Sequence, residues 1–452
     1  MKKRLRSDSG LIAWMNQTTR PLIALDPRGR VRFFNQGAEA MTGCHPEDVL
    51  GKSCEYRTET TGSLSERVLA ALAPPPEVFA GDDRVVTTHF IDSRGRRQTL
   101  KLLYFALRSD DEHVSAVLAM QIDAEETVVS RPAPASQQFH AELSQLLSRR
   151  DGVQRQMQLV AKSAAMQRVS TQINAARSCR VPVHLQGPSG SGRKMLARMI
   201  LTLEQKQFTP LAVLDCRSLS RIDFKRMLDD CLGFAAEAED PTGILLEHVD
   251  ELETDLQSHV LEMREKRWPE TCRLLSSAAH DLDEARQQEQ VLEPLFYLLT
   301  AFVIEVPSLV ERRADLDLLV QLFVEQNNRG RARQLSGVDR QVREALLAYS
   351  WPGEARELHE TIDAACQACE ETIVKLEHLP FGFHSGQQAD AALPVQQETF
   401  RPLEESLNAV ERTEIERALA YAKDNKAKAA DLLGLTRAKF YRRLEALGIA
   451  SE

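Results

Sequence analysis

The chain has 452 residues, 43% of them apolar, which is enough for about three domains at roughly 150 residues each. Its net charge of −9 excludes a protein that coats nucleic acid with its whole surface, so any DNA contact has to come from a local basic patch. No run approaches the roughly 18 apolar residues of a membrane span. Met1 to Arg6 lead into Ser7, Asp8 and Ser9 rather than the apolar core of an export signal, and the eight cysteines are scattered, so a reduced, cytoplasmic setting is expected.

Residues 11–123 alternate short apolar strands with turns, the pattern of an α+β domain. Leu22 to Leu25, the turn Asp26-Pro27-Arg28-Gly29 and Val31 to Phe34 predict one hairpin. Arg84 to Ile91 and Arg96 to Leu107 predict a second, and Val114 to Ile122 a third strand with Val114, Ala116, Leu118, Met120 and Ile122 on one face. Helices are expected at Asn35 to Met41 and at Leu64 to Ala73, where Pro74-Pro75-Pro76 stops the latter. The order strand, turn, strand, Asn35, then Ala38 to Gly43 and Val49-Leu50-Gly51-Lys52 resembles a PAS sensory domain. Cys54 falls near the reactive cysteine of flavin-binding photosensors of that fold. The surrounding Ser53-Cys54-Glu55-Tyr56-Arg57-Thr58 does not match their Asn-Cys-Arg-Phe-Leu-Gln run, so a structural cysteine is expected. A PAS fold without a ligand can serve as a dimerisation platform.

Residues 124–159 are polar, include Arg131-Pro132-Ala133-Pro134, turn into a Gln- and Arg-rich helical stretch and read as a linker. In the central segment 160–383, Val181 to Gln186 looks like a buried strand feeding Gly187-Pro188-Ser189-Gly190-Ser191-Gly192-Arg193-Lys194, with a helix expected from near Met195. That is a phosphate loop: glycines let the backbone curl so that its N–H groups face phosphate oxygens, and the helix N-terminus adds a favourable dipole. The usual loop ends Gly-Lys-Ser/Thr, whereas Arg193 stands here at the lysine position. Cys366 and Cys369, with His378 and His384 downstream, mimic metal-ligand spacing, but the pair lies in a helical stretch where i and i+3 share a buried face, so no metal site is expected.

Three segments of this region resemble the AAA+ module of NtrC-type, sigma-54-dependent transcription activators. Gly187 to Lys194 is similar to that family's GESGTGKE, Val306 to Leu316 to LPPLRERREDI, and Tyr349-Ser350-Trp351-Pro352-Gly353-Glu354-Ala355-Arg356-Glu357-Leu358 to YxWPGNVREL. The resemblance implies an α/β domain with a helical lid, a bound ATP or ADP, and Arg356 at the lid's sensor position. It also identifies departures. Ile244-Leu245-Leu246-Glu247-His248 matches LFLDE, putting Glu247 at the magnesium position and His248 at the water-activating position. Ala279 takes the place of the polar sensor, and Leu292 and Leu298 the places of both arginines in FRxDLYYRL that reach a neighbouring subunit. Efficient hydrolysis is therefore not expected, and the pattern speaks against Mg2+. The GAFTGA loop that touches the sigma factor should fall between Leu232-Gly233-Phe234 and Gly243, where only Ala235 to Thr242 is found.

A second linker, 384–400, is rich in Gln, Ala and Ser. In 401–452, Arg401 to Lys423 shows one apolar helical face through Leu407, Val410, Ile415, Leu419 and Ala422. Lys426 to Leu433 predicts a short helix burying Ala429, Ala430 and Leu433; Gly434-Leu435 makes a turn; Thr436 can cap a last helix with Phe440, Leu444 and Leu447 inward, ended by Gly448. Lys423, Lys426, Lys428, Arg437, Lys439, Arg442 and Arg443 against Asp424, Asp431 and Glu445 leave an excess of four positive charges, seven against three. Asn425 to Arg437 and Tyr441-Arg442-Arg443-Leu444 resemble the Fis-type helix-turn-helix of the same family, which implies double-stranded DNA as partner and Lys426, Thr436, Arg437, Lys439, Tyr441, Arg442 and Arg443 as its contacts. The expected fold is multidomain: an α+β PAS-like domain, an α/β AAA+ domain with lid, and an all-α helix-turn-helix. Self-association as a dimer or higher oligomer is expected, RNA polymerase or a signalling protein are further partners that the resemblance implies, and no membrane contact is expected. A weakly active ATP-driven activator and a PAS/AAA+ interaction scaffold remain as alternatives.

Overall fold

The computed structural model describes residues 15–59, 62–92, 96–109, 113–122, 134–149, 152–202, 209–385, 411, 415, 418–419, 422 and 426–446. They fall into two compact units, divided between Ser385 and Gly386.

In the first unit, strands β1 (Leu22–Leu25), β2 (Val31–Phe34), β3 (Arg84–Ile91), β4 (Arg97–Arg108) and β5 (Val114–Gln121) form an antiparallel sheet in the order β2-β1-β5-β4-β3. Both expected hairpins form. Asn35 shows why the first turns into a helix: its Oδ1 accepts from the amides of Leu22 and Ala38, both at 2.9 Å, capping helix Gln36–Thr42, while its Nδ2 donates to the carbonyls of Met15, Thr18 and Arg20. Helix Leu64–Ala71 starts in a capping box between Ser63 and Glu66.

Along β5, Val117 and Ala119 are fully buried, whereas Val114, Ala116, Leu118 and Met120 of the apolar face are half-buried and Ile122, just past the strand, is buried. Adjacent residues Leu102 and Leu103 of β4 are both buried, so this sheet is covered on both faces, and apolar alternation cannot tell the two apart.

The second sheet of this unit is wholly parallel, in the order β10-β6-β9-β8-β7, from β6 (Val183–Gln186), β7 (Leu211–Asp215), β8 (Thr242–Glu247), β9 (Cys272–Ala278) and β10 (Val303–Glu305). Helices cover it, as parallel strands require. The lid follows as helices Arg313–Asn327, Arg340–Ala348 and Glu354–Ala368 around one apolar core that includes Trp351, Cys366 and Cys369. Burial pushes the Cys366 thiol up to about 12, and His378 Nδ1 accepts from the Lys375 amide. Among the described residues no three His, Cys, Asp or Glu side chains come together as metal ligands.

Asp315, which the sequence shows only as part of a motif, is fully buried. Its carboxylate accepts from the amides of Lys162 and Ser163 and from the Ser163 hydroxyl at 2.6–2.7 Å, and Ser163 caps helix Ala164–Ser178.

Helix Ala135–Ser148 lies in the segment read as a linker, but it is an integral part of the unit. Leu143 and Leu147 are fully buried in the lid core, while the Ser144 hydroxyl donates to the His89 carbonyl of β3. The PAS segment Glu55–Thr58 docks on the lid beside this helix. Tyr56 stacks on His140 with ring centroids 4.4 Å apart, its carbonyl accepts from Asn328 Nδ2, and the Thr58 amide donates to Glu325 at 2.6 Å.

The second unit contains helices Lys426–Leu432 and Arg437–Ala446, joined through Gly434 at φ +64°. Ala429, Ala430, Phe440 and Leu444 are buried with Ile415, Ala418 and Ala422, and Leu433 is partly buried against them. Leu407, Val410, Leu447 and Gly448 lie outside the described residues.

Candidate functional site

The curl between β6 and helix Arg193–Leu201 needs its glycines Gly187, Gly190 and Gly192, all at positive φ. Gly192 caps the helix at φ +105°. Gly190, at φ +88°, lies so close to the lid that a Cβ would meet the Gly353 carbonyl oxygen at 2.3 Å. The helix begins at Arg193, two residues earlier than expected, so Arg193 and Lys194 form its first turn. The lid closes over the loop through the motif around Trp351: the Arg356 amide donates to the Gly190 carbonyl at 3.2 Å.

These elements enclose a cavity of about 290 Å³, near the small end of ligand pockets. Its polar wall carries the loop from Ser189 to Lys194, with Glu247, His248, Arg312 and Arg356. Leu159, Val160, Leu319, Leu322 and Phe323 make an apolar wall. Pro188 is half-buried in the loop, where its carbonyl accepts from the Ser191 amide. The Ser191 hydroxyl is buried and has no hydrogen-bond partner, an orphan that a phosphate oxygen would satisfy.

Arg193 lines the cavity, but its guanidinium is turned back on its own loop. It folds back to donate to the Gly187 carbonyl at 2.9 Å and is itself buried. Lys194 Nζ stands 3.8 Å from Glu247 Oε2, at the end of β8. His248 follows in the left-handed region at φ +57°, and burial, then the guanidiniums of Arg217 and Arg193, hold its imidazole below the ordinary histidine range.

Ala279, just past β9, does not line the cavity. Leu292 and Leu298, at the start and near the end of helix Glu293–Leu299, are partly buried against the core of the parallel sheet. Helix Arg221–Glu237 runs to four residues before β8, so only residues 238–241 connect them.

In the second unit, Thr436, Arg437, Lys439, Tyr441, Arg442 and Arg443 are all exposed, and Lys426 is half-buried. The amides of Lys439 and Phe440 donate to the Thr436 carbonyl, which starts the helix. Arg443 is partly committed: its Nε lies 3.0 Å from Glu411 Oε1.

Two parts of the cavity escaped the sequence reading. Residues 157–159 were read as linker, yet Met157, Gln158 and Leu159 line it. Arg312 was seen only as part of a motif. It is buried, donates to the Ser191 carbonyl at 2.9 Å and braces the loop from behind. Neither carries a local pattern, because both act across long sequence separations.

Comparison with known proteins covers most of the chain. The PAS fold matches residues 15–129, the sigma-54 interaction domain 160–309, the AAA+ ATPase lid domain 310–395 and the bacterial regulatory protein, Fis family, 406–447. The alginate biosynthesis transcriptional regulatory protein AlgB of Pseudomonas aeruginosa is 28% identical over 366 residues, 74% of this chain and 79% of that protein. The transcriptional regulatory protein ZraR of Escherichia coli is 26% identical over 309 residues, 62% and 67% of the two chains. A crystal structure of NtrX from Brucella abortus in complex with ATP is 21% identical over 71% of this chain and 78% of that one, with a TM-score of 0.43. No helix among the described residues is long and apolar enough to cross a membrane. With these four domains in this order, the chain belongs to the NtrC-type, sigma-54-dependent transcriptional regulators.

Proposed function

We propose that this protein is a cytoplasmic, sequence-specific DNA-binding regulator whose AAA+ module holds ATP or ADP without turning it over and without driving sigma-54 polymerase. The observation that carries this reading is a cavity that keeps a phosphate-holding loop while His248 stands where the resemblance places the water-activating carboxylate.

On the holding side, loop amides and the helix N-terminus favour an anion, the orphan Ser191 hydroxyl supplies a further donor, and the apolar wall suits a base. Arg356 lines the same cavity, where its guanidinium can meet a phosphate. On the transfer side, burial and the guanidiniums of Arg217 and Arg193 make His248 a weaker base than an ordinary histidine, and its imidazole brings no negative charge where the family carries a carboxylate. Ala279 has no side chain to hydrogen-bond with, and Leu292 and Leu298 bring no charge to a neighbouring subunit. An arginine finger contributes roughly 10³ to 10⁵ in rate, so losing both cannot be offset by Arg193, which is bonded to its own loop.

The connection 238–241 between helix Arg221–Glu237 and β8 leaves no room for a sigma-contacting loop, which supports regulation by occupancy. DNA contact falls to helix Arg437–Ala446 in the major groove. One such helix reads only a few base pairs, so a dimer on half-sites about one helical turn apart is the expected unit. A steady-state phosphate-release assay on the full chain tests the dead-enzyme reading: background release is expected, and robust turnover abolished by Gly192→Asp overturns it.

A further inference from the structure

Where a phosphate loop binds Mg2+, the hydroxyl of the residue after the loop's lysine and a carboxylate at the end of the acidic strand present hard oxygen donors. In this chain the first of these positions is Lys194. An ammonium has three N–H donors and no lone pair, so it cannot ligate a metal. It stands 3.8 Å from the carboxylate at the family's magnesium position, Glu247 Oε2. A divalent cation does not fit between these two groups: it would lose an oxygen ligand and gain a positive neighbour at contact distance.

The surrounding charge points the same way. Arg193, Lys194, Arg312 and Arg356 line the cavity, and Glu247 is the acidic residue among the described residues that lines it, with Asp250 and Asp215 nearby. Arg193 and Arg312 are tied to the carbonyls of Gly187 and Ser191. The Lys194 side chain is 46% exposed and held by one ion pair, so it can turn from Glu247 to a phosphate as a compact point charge.

We propose that Lys194 takes the place of the metal, and that the site binds nucleoside di- and triphosphates in their metal-free form. The inference rests on the nucleotide reading above and adds which ionic form is bound. Because Mg2+ complexes ATP in solution, it then competes with the site instead of assisting it.

The test is calorimetric titration of the full chain with ATP and with ADP, in excess Mg2+ and in EDTA. Higher affinity in EDTA is the expected result, and equal or tighter binding in Mg2+ overturns the proposal. Lys194→Thr, which restores an oxygen at the metal position, is expected to reverse the sign and make Mg2+ tighten binding about tenfold or more; a variant that Mg2+ still weakens, or leaves unaffected, removes Lys194 from the role. Glu247→Gln releases Lys194 and is expected to raise affinity in EDTA, whereas unchanged or lower affinity counts against the proposal. No heat of binding under either condition overturns the nucleotide reading itself, and this inference with it.

Discussion

Glu325→Ala removes the acceptor on which the PAS segment is docked to the lid. The carboxylate is almost fully buried, accepts from the Thr58 amide at 2.6 Å and from Gln321 Nε2 at 2.9 Å, and lies 2.8 Å from His140 Nδ1. The alanine leaves those partners in a buried site without an acceptor. Breaking such a buried, hydrogen-bonded group costs about 3–5 kcal/mol, a factor of roughly 10² to 10³ in the opening equilibrium at 1.4 kcal/mol per decade. Hydrogen exchange read by mass spectrometry should therefore accelerate by that factor in peptides covering 54–59 and 135–148, while β8 (Thr242–Glu247) stays as in the wild type. The nucleotide cavity should respond as well, since Gln158 lines it, donates to the Thr58 carbonyl at 3.2 Å and accepts from Gln326 at 2.9 Å. Unchanged exchange at 54–59 would refute the reasoning.

His184 of β6 is buried with Nδ1 2.9 Å from Ser276 Oγ and Nε2 unpaired, and burial holds its pKa down to about 4. A histidine with a lowered folded value binds its proton more readily when unfolded, so stability is fully present above about pH 6.5 and is lost as pH falls toward 4; between pH 7 and 5 this amounts to about 2 kcal/mol. Urea midpoints should show that slope in the wild type and a correspondingly smaller one in His184→Leu, and equal slopes would contradict the assignment. In gel shifts, Arg437→Ala should relax sequence preference, since a bidentate base contact is worth about 1–3 kcal/mol of discrimination. Arg442→Ala should weaken all sequences alike and lower the salt slope by about one. Arg443→Ala should do so less, because Glu411 already offsets its charge; uniform effects across the three variants would show that this helix is not the reader.

Much of this was legible in the sequence because it is local. The hairpin turns, the Asn35 cap, the glycine loop and the Gly434 turn each follow from what a residue does to its own backbone. Which face of β5 is the more buried was not, since Leu118 and Met120 are as apolar as Val117 and Ala119 and only packing tells the two faces apart. Helix Ala135–Ser148 resembled linker because its polar residues include buried ones: Gln137, His140 and Ser144 are interior, and only the docked PAS segment and lid reveal that. In the site, the loop from Gly187 to Lys194 and the strand end with Glu247 and His248 were readable from local motifs. The turning back of Arg193 to Gly187, the brace from Arg312 and the approach of Lys194 to Glu247 depend on side-chain geometry that spacing does not encode.

The most direct test of regulation by occupancy is open-complex formation by sigma-54 polymerase, reconstituted with the full chain at a bound promoter and compared between ATP and a non-hydrolysable analogue. The account predicts the same promoter occupancy with either nucleotide and no open complexes above the polymerase alone. Open complexes that form with ATP and not with the analogue would contradict it.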